Sequence, residues 1–163
     1  MAREHKLKHG PSSRMEAPRE LPSRLNVLGS RIADTSLAAL AGLVIRRARE
    51  GSRLTVAAVA LHGVTVAYGD PRFRSRLETF DVLTPDGAPV AVAARWLHRG
   101  RSVERIPGPD LSAEVLRLAA ASGQSVFFFG STQATLAASK AQTAAARAAV
   151  EAAKAQLVGA RSC

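Results

Sequence analysis

Apolar residues along this chain recur at two spacings, one typical of helices and the other of buried strands. Between Leu37 and Ile45 they recur at helical spacing, and Asp34-Thr35-Ser36 can cap the helix that they predict. Residues 54–61 are instead continuously apolar and rich in valine, as expected of a strand covered on both faces of a parallel sheet. The pattern therefore predicts helices that alternate with strands.

The remaining segments continue this alternation. Gly51, Gly100 and Gly123 stand where helices should end. We predict the α/β class, with a Rossmann-like, doubly wound parallel sheet flanked by helices. The further predicted elements are helices over 71–79, 88–98, 110–121 and 133–156, and strands over 80–83, over 125–129 and from Leu157 onward.

Length and composition favour one domain. With 163 residues, 47% of them hydrophobic, the chain can bury one core of ordinary size. Residues 1–24 mix Lys, Arg, His, Pro and Ser and lack the apolar core of a secretory signal, so we predict a disordered basic tail before a domain over 25–163. No apolar stretch is long enough to span a bilayer, and Cys163 as the single cysteine fits a reducing cytoplasm.

The net charge of +10 invites a nucleic-acid interpretation, because basic surfaces attract phosphate polymers. The basic residues, however, are scattered along the chain instead of gathered on one helix. Aromatic residues make up only 4% of the chain, so the stacking platforms of single-strand binders are scarce. We predict no nucleic-acid partner.

The stretch Thr84-Pro85-Asp86-Gly87 is the first candidate for chemistry. It places a carboxylate directly after a predicted strand, and ligands of open α/β sheets bind at the carboxyl ends of strands. Gly87 permits close backbone contact with a ligand. The simpler interpretation is that Asp86 is a turn residue that caps the next helix.

Two further loops have polar or glycine residues in suitable places. Gly130 and Ser131 follow a predicted strand and precede a helix, where backbone amides can hold a phosphate, although an ordinary strand-to-helix turn has the same sequence. Gly108 and Asp110 can shape their loop, and Asp110 or Ser112 can cap the helix after it. No cluster of metal ligands is visible, so we predict neither a metal nor a cofactor.

Short motifs follow one another in a fixed order along the chain. They are His62-Gly63-Val64, Asp70-Pro71 with Phe73-Arg74, Asp81, Pro85-Asp86-Gly87, Pro89-Val90, Arg95, Glu104-Arg105, Gly108 with Asp110-Leu111, and Val126-Phe127-Phe128 with Gly130. No single motif is specific, but over residues 25–129 their order and spacing resemble those of the bacterial WecG/TagA/CpsF glycosyltransferases, glycosyltransferase family 26. Residues 157–162 resemble the next strand of that family.

The resemblance implies transfer of an N-acetylmannosamine-type sugar, with inversion, from a uridine diphosphate donor to a lipid-linked acceptor in cell-surface polysaccharide synthesis. Asp86 then corresponds to the general base and Arg105 to an arginine that contacts the donor. It implies a cytoplasmic protein, peripheral to the inner face of the plasma membrane, that uses arginines and helix termini instead of a metal. The other substrate-binding candidates are His62, Gly87, Gly108, Asp110, Gly130 and Ser131.

Several of these residues also have ordinary structural interpretations. Arg105 can form a solvated ion pair with Glu104, and His62 can be a packed or capping histidine. Trp96 and Leu97 lie on a predicted helix and are expected in the core.

Two departures from the family pattern favour an alternative function. Ala58 and Ala60 stand where the family carries Thr and Asn, and the family domain continues past Cys163, so we expect the sheet to be incomplete at its C-terminal end. The chain would then self-associate or need a C-terminal partner. The alternatives are an impaired paralogue that binds nucleotide-sugars or serves as an assembly subunit, and a helical adaptor through residues 133–156, which lack a sustained Leu or Ile heptad.

Overall fold

The structure is a computed structural model that describes residues 20–130 and 132–159. It contains a four-stranded sheet with helices on both faces, which confirms the predicted α/β class. The strands are β1 (Ser23–Val27), β2 (Ser30–Asp34), β3 (Val56–Val59) and β4 (Val82–Pro85). The helices are α1 (Leu37–Arg49), α2 (Leu61–Gly69), α3 (Pro71–Leu77), α4 (Ala88–Leu97), α5 (Gly108–Ala121) and α6 (Gln133–Gly159).

The strand order is β1-β2-β4-β3, with β4 between two parallel neighbours. β1 is an antiparallel edge strand that pairs with β2 through the tight turn at Leu28 and Gly29, both of which have positive φ. Because β2, β3 and β4 run in the same direction, their carboxyl ends meet at one edge of the sheet. That edge is where ligands of open α/β sheets bind.

Each face of the sheet is covered by its own apolar cluster. On one face, residues of the sheet pack against α2 and α4, through Val64, Val90 and Ala94. On the other face they pack against α1 and α5, through Leu40 and Leu111. β4 contributes Leu83 to the first cluster and Val82 to the second. The alternation of side chains along this central strand explains why its sequence is apolar throughout.

At the opposite, amino-terminal edge, Asp81 joins the beginnings of β3 and β4. Its carboxylate accepts hydrogen bonds from the backbone N–H and the hydroxyl of Thr55, at 2.7 and 2.8 Å. The Arg24 guanidinium donates to the Asp81 carbonyl at 2.8 Å. The Thr55 backbone and hydroxyl bonds, followed by the nearby charges of Arg53 and Arg24, lower the pKa of the Asp81 carboxyl.

Two of the predicted strands are wrong. Residues 125–129 form no strand, and Phe127 and Phe129 are 86% and 94% exposed. Leu157 and Val158 continue α6, because the alanine-rich sequence before them propagates the helix and no described strand lies beside them. An apolar run becomes a strand only where another strand supplies hydrogen-bond partners.

Other local expectations also need correction. α5 begins at Gly108 after an extended Pro107, so neither Asp110 nor Ser112 is its cap, and Asp110 lies in the first turn. Trp96 was expected in the core but is 75% exposed, and Leu97 is also exposed. Among the described helices, none combines the length and the apolar composition that crossing a bilayer requires. Most of the predicted basic tail, residues 1–19, lies outside the described residues, while Ser23 and Arg24 belong to β1.

Replacing Asp81 with Asn should lower the free energy of unfolding by about 1–3 kcal/mol at pH 7, because Thr55 loses a charged acceptor. In the wild type the same contribution should fade as the pH falls below 3.8, the ordinary value for Asp, since the folded-state pKa is the lower one. Urea unfolding at pH 7 and pH 3 measures both effects. The exposed Glu50 offers a control, and a Glu50→Gln loss as large as that of Asp81→Asn would contradict the prediction.

Candidate functional site

Asp86 follows β4 at the carboxyl edge of the sheet. Its backbone N–H donates to the carbonyl of Val59 at 3.0 Å, which holds it beside the end of β3. The N-cap of α4 is Gly87, with φ of 90°, and no side chain caps this helix. The helix-cap interpretation of Asp86 is therefore wrong. Its partly exposed carboxylate makes no hydrogen bond or ion pair with any residue that the structure describes.

Residues 101–107, the crossing loop, pass over this edge from one face of the sheet to the other. Val103 is buried in the cluster beneath α2 and α4, whereas Ile106 is buried in the cluster beneath α1 and α5. The two residues between them, Glu104 and Arg105, are exposed at the crossing. The burial of Val103 and Ile106 thus places the charged residues Glu104 and Arg105 at the carboxyl edge.

Hydrogen bonds hold the crossing loop at both ends. Arg101 forms an ion pair with Asp34, at the end of β2, at 3.1 Å, and Arg95 of α4 donates to the carbonyl of Val103 at 2.9 Å. Further along, the N–H of Ile106 donates to the carbonyl of Pro85 at 3.0 Å. The residue after Pro85 is Asp86, so this hydrogen bond holds the loop directly beside the free carboxylate.

Arg105 lies one residue before this attachment. The structure gives it an ion pair with Asp110, at 4.0 Å, instead of the expected pair with Glu104. Both partners are about half exposed, at 50% and 55%, and such a pair contributes little to stability. The guanidinium is therefore free to exchange Asp110 for an anionic ligand.

The amino-terminal ends of α2, α4 and α5 gather around the same place. Their N-cap residues are Ala60, Gly87 and Pro107, and none of the three makes a side-chain capping bond. By contrast, Ser36 and Asp70 cap α1 and α3 with their side chains. Uncapped backbone N–H groups carry partial positive charge and suit the oxygens of an anion such as a diphosphate.

The structure brings most of the predicted site residues to this edge. His62 is the second residue of α2 and is exposed, so its interpretation as a packed histidine is wrong. Gly108 begins α5 beside β3, where an added Cβ would lie 3.5 Å from the Cβ of Ala58. Together with Asp86, Gly87, Arg105 and Asp110, these residues surround the ends of β3 and β4.

The loop at Gly130 is the other predicted part of the site. Gly130 is exposed ahead of α6, and α6 packs against α5. Ser131 lies outside the described residues. Gly130 and Ser131 therefore stay predictions as ligand contacts.

Comparison with known proteins identifies the family. The family model of the glycosyl transferase WecG/TagA/CpsF family matches residues 25–162. The chain belongs to this family. Its members are glycosyltransferases of cell-surface polysaccharide synthesis, with nucleotide-sugars and lipid-linked acceptors as substrates. No curated protein matches the chain.

For a WecG/TagA/CpsF glycosyltransferase, the uncapped start of α2 is informative. Ala60 has the extended backbone of an N-cap, with φ −80° and ψ 170°, but has no side-chain acceptor to offer the helix amides. This is the position where the resemblance predicts Asn, one of the best N-cap residues. The departure at Ala60 is visible in the sequence, but its structural consequence is not, because the apolar run over 54–61 does not indicate that a helix begins at Leu61.

Thr84 opens the candidate stretch, but its structural role is not predictable from the sequence. It lies in β4, is fully buried, and donates a hydrogen bond to the crossing loop. The available signal was a hydroxyl at the end of an otherwise apolar strand. A buried hydroxyl needs a hydrogen-bond acceptor, and here the crossing loop provides it.

Replacing Ala60 with Asn should raise the free energy of unfolding by about 0.5–2 kcal/mol, because Asn can accept hydrogen bonds from the first amides of α2. The same change at the exposed Ala113, inside α5, should lower stability by about 0.7 kcal/mol, since Asn is a poorer helix former than Ala. Chemical denaturation of the two variants measures this difference. Equal effects of the two changes would show that Ala60 is not a functioning cap position.

Proposed function

We propose that this protein transfers an N-acetylmannosamine-type sugar from a uridine diphosphate donor to a lipid-linked acceptor, with inversion at the anomeric carbon. The observation that carries the proposal is the free carboxylate of Asp86 at the edge where three uncapped helices begin. Family membership supports the reaction class and the general substrates. The identity of the sugar and of the nucleotide is the finer part of the proposal.

In this mechanism Asp86 removes the proton from the acceptor hydroxyl. The resulting oxygen forms a bond to the anomeric carbon on the face opposite the diphosphate, and the bond between that carbon and the diphosphate oxygen breaks. The proton remains on Asp86, and uridine diphosphate leaves with the bonding electrons. A carboxylate without competing partners suits this role, because a hydrogen-bonded or paired carboxylate is a weaker base.

The leaving diphosphate gains negative charge as the bond breaks. Arg105 can stabilise that charge once it releases Asp110, and the exposure of both residues makes the exchange inexpensive. The N-terminal amides of α2, α4 and α5 add further donors in fixed positions. His62, Gly87 and Gly108 stand at these helix starts and are the proposed contacts with the donor.

Replacing Asp86 with Asn should reduce sugar transfer by about 10²–10⁴-fold, the usual contribution of a general base. Binding of uridine diphosphate should be retained, because the change removes a negative charge beside the diphosphate. Transfer of labelled sugar to a lipid-linked acceptor and calorimetry with uridine diphosphate measure the two properties. Glu114→Gln, on the outer part of α5, is the matched control that removes a carboxylate elsewhere.

Each outcome of that experiment has a definite meaning. Transfer by Asp86→Asn at the wild-type rate would remove the general-base role. Uridine diphosphate binding without transfer by the wild type would favour the alternative function, a nucleotide-sugar-binding or assembly subunit, for which Ala58 and Ala60 already argue. If the wild type neither binds uridine diphosphate nor transfers sugar, the donor assignment is overturned.

We also propose that the protein works at the inner face of the plasma membrane, where a lipid-linked acceptor would be presented. Phe127 and Phe129 are almost fully exposed, and a neighbouring groove of about 380 Å³ is lined by Val126 and Leu136 together with the cations Lys140 and Arg147. Exposed aromatic side chains beside cations suit the interface of an anionic bilayer.

Replacing Phe127 and Phe129 together with Ser should reduce the fraction of protein that co-sediments with phosphatidylglycerol vesicles, because the side chains that enter the interface are removed. Trp96→Ser is the matched control, since Trp96 is an exposed aromatic residue on α4. Pure phosphatidylcholine vesicles should recover little of any variant. Equal recovery of the wild type and the double variant from the anionic vesicles would contradict this surface.

A further inference from the structure

Thr84 places a hydroxyl group at a fully buried position of the central strand. Its neighbours Val82 and Leu83 are buried apolar residues of the two cores. The Thr84 hydroxyl donates to the carbonyl of Ile106 at 3.1 Å. A buried hydroxyl is unfavourable unless it makes such a bond, so the contact accounts for both polar groups.

This bond completes a two-point attachment of Ile106 to β4. The N–H of Ile106 donates to the carbonyl of Pro85 at 3.0 Å, and its carbonyl accepts from Thr84. The Ile106 side chain is itself fully buried. Both backbone groups of one residue are therefore fixed relative to the strand that ends at Asp86.

Arg105 depends on this attachment for its position. It directly precedes Ile106, while its own side chain has only a weak, half-exposed pair with Asp110 at 4.0 Å. The other ties of the crossing loop, at Arg101 and Val103, hold its first half. In the second half of the loop, the hydrogen bond from the Thr84 hydroxyl holds Ile106, the residue next to Arg105.

We propose that Thr84 is a positioning residue that sets Arg105 against the diphosphate of the donor. The inference rests on the proposed function, because it assigns the diphosphate to the space between Arg105 and Asp86. Thr84 does not touch the ligand. It acts by holding Ile106, and through Ile106 the backbone of Arg105, at a fixed distance from the carboxyl end of β4.

The test compares Thr84→Val with Thr84→Ser in the full chain. Val keeps the branched shape but loses the hydroxyl, so the dissociation constant of Thr84→Val for uridine diphosphate should be about tenfold above that of the wild type. Ser keeps the hydroxyl, so the dissociation constant of Thr84→Ser should lie within about twofold of the wild-type value. Hydrogen exchange at the amides of Arg105 and Ile106 should be faster in Thr84→Val. Thr79→Val is the control, since the exposed Thr79 hydroxyl donates to Arg76 at the end of α3.

A double variant separates positioning from a general loss of structure. If Thr84 acts through Arg105, Thr84→Val should weaken uridine diphosphate binding by less than about twofold when Arg105 is already Ala, because no guanidinium remains to position. The full tenfold loss in that background would overturn the inference. So would a failure of Ser to restore binding, or unchanged exchange at the two amides.

The inference and the proposed function fail in different ways. If the wild type binds uridine diphosphate and Thr84→Val binds it equally well, the proposed function stands and the positioning role is overturned. If the wild type binds no uridine diphosphate, the proposed function fails and the ligand assignment of Thr84 fails with it.

Discussion

The parallel pairing of β3 with β4 is the contact on which the candidate site depends. Val56 to Val59 pair in register with Val82 to Pro85, and the Asp86 N–H extends the ladder by one more bond to Val59. Because one residue separates the start of α2 from the end of β3 and two residues separate the start of α4 from the end of β4, this register also fixes the distance between the two helix starts. A shift of one residue would turn Leu83 and Val82 toward the wrong cores and would move Asp86 away from α2.

The crossing loop depends on the same strand in a second way. Val103 and Ile106 are buried on opposite faces of the sheet, so the two residues between them must cross its carboxyl edge. Burial of apolar side chains therefore determines where a charged pair is exposed. Arg105 needs no specific side-chain partner to stay near Asp86, because Ile106 beside it is anchored in a core and bonded to β4 at both backbone groups.

The sequence predicts the locally determined parts of this fold well. α1 and α3 are found where the sequence predicts helices, after Asp34-Thr35-Ser36 and from Pro71, and β4 lies close to its predicted position. The hairpin of β1 and β2 was missed, because its turn places Leu28 at a positive φ of 50°, where Asn or Gly is the usual signal. Residues 125–129 have the composition of a strand but no strand partner in the described structure, which a local pattern cannot reveal.

In the candidate site, too, local features are predictable from the sequence and long-range contacts are not. The sequence predicts that Asp86 follows an apolar strand. It does not predict that Asp86 leaves α4 uncapped, because this depends on the backbone conformation of Gly87, which is the N-cap residue. The roles of Thr84 and Ile106 could not be read, because their contact joins residues that are 22 positions apart in sequence. Such contacts depend on tertiary packing and do not appear in the local pattern of apolar and polar residues.

Helix capping links the stability of this protein to its proposed chemistry. α1 and α3 have side-chain caps, while α2, α4 and α5 begin at the candidate site without them. A missing cap costs about 1 kcal/mol where Ala is the N-cap residue, as at Ala60, and about a few tenths of that where it is Gly, as at Gly87, so the uncapped starts at this edge lower the stability of the domain. An anion that accepts hydrogen bonds from those amides regains part of that loss, and it does so only in the folded protein. Binding of a diphosphate should therefore stabilise the fold in proportion to its occupancy, since ligand binding to the native state alone shifts the unfolding equilibrium. The same free donors that lower the stability of this edge are the ones that would hold a negatively charged leaving group in place.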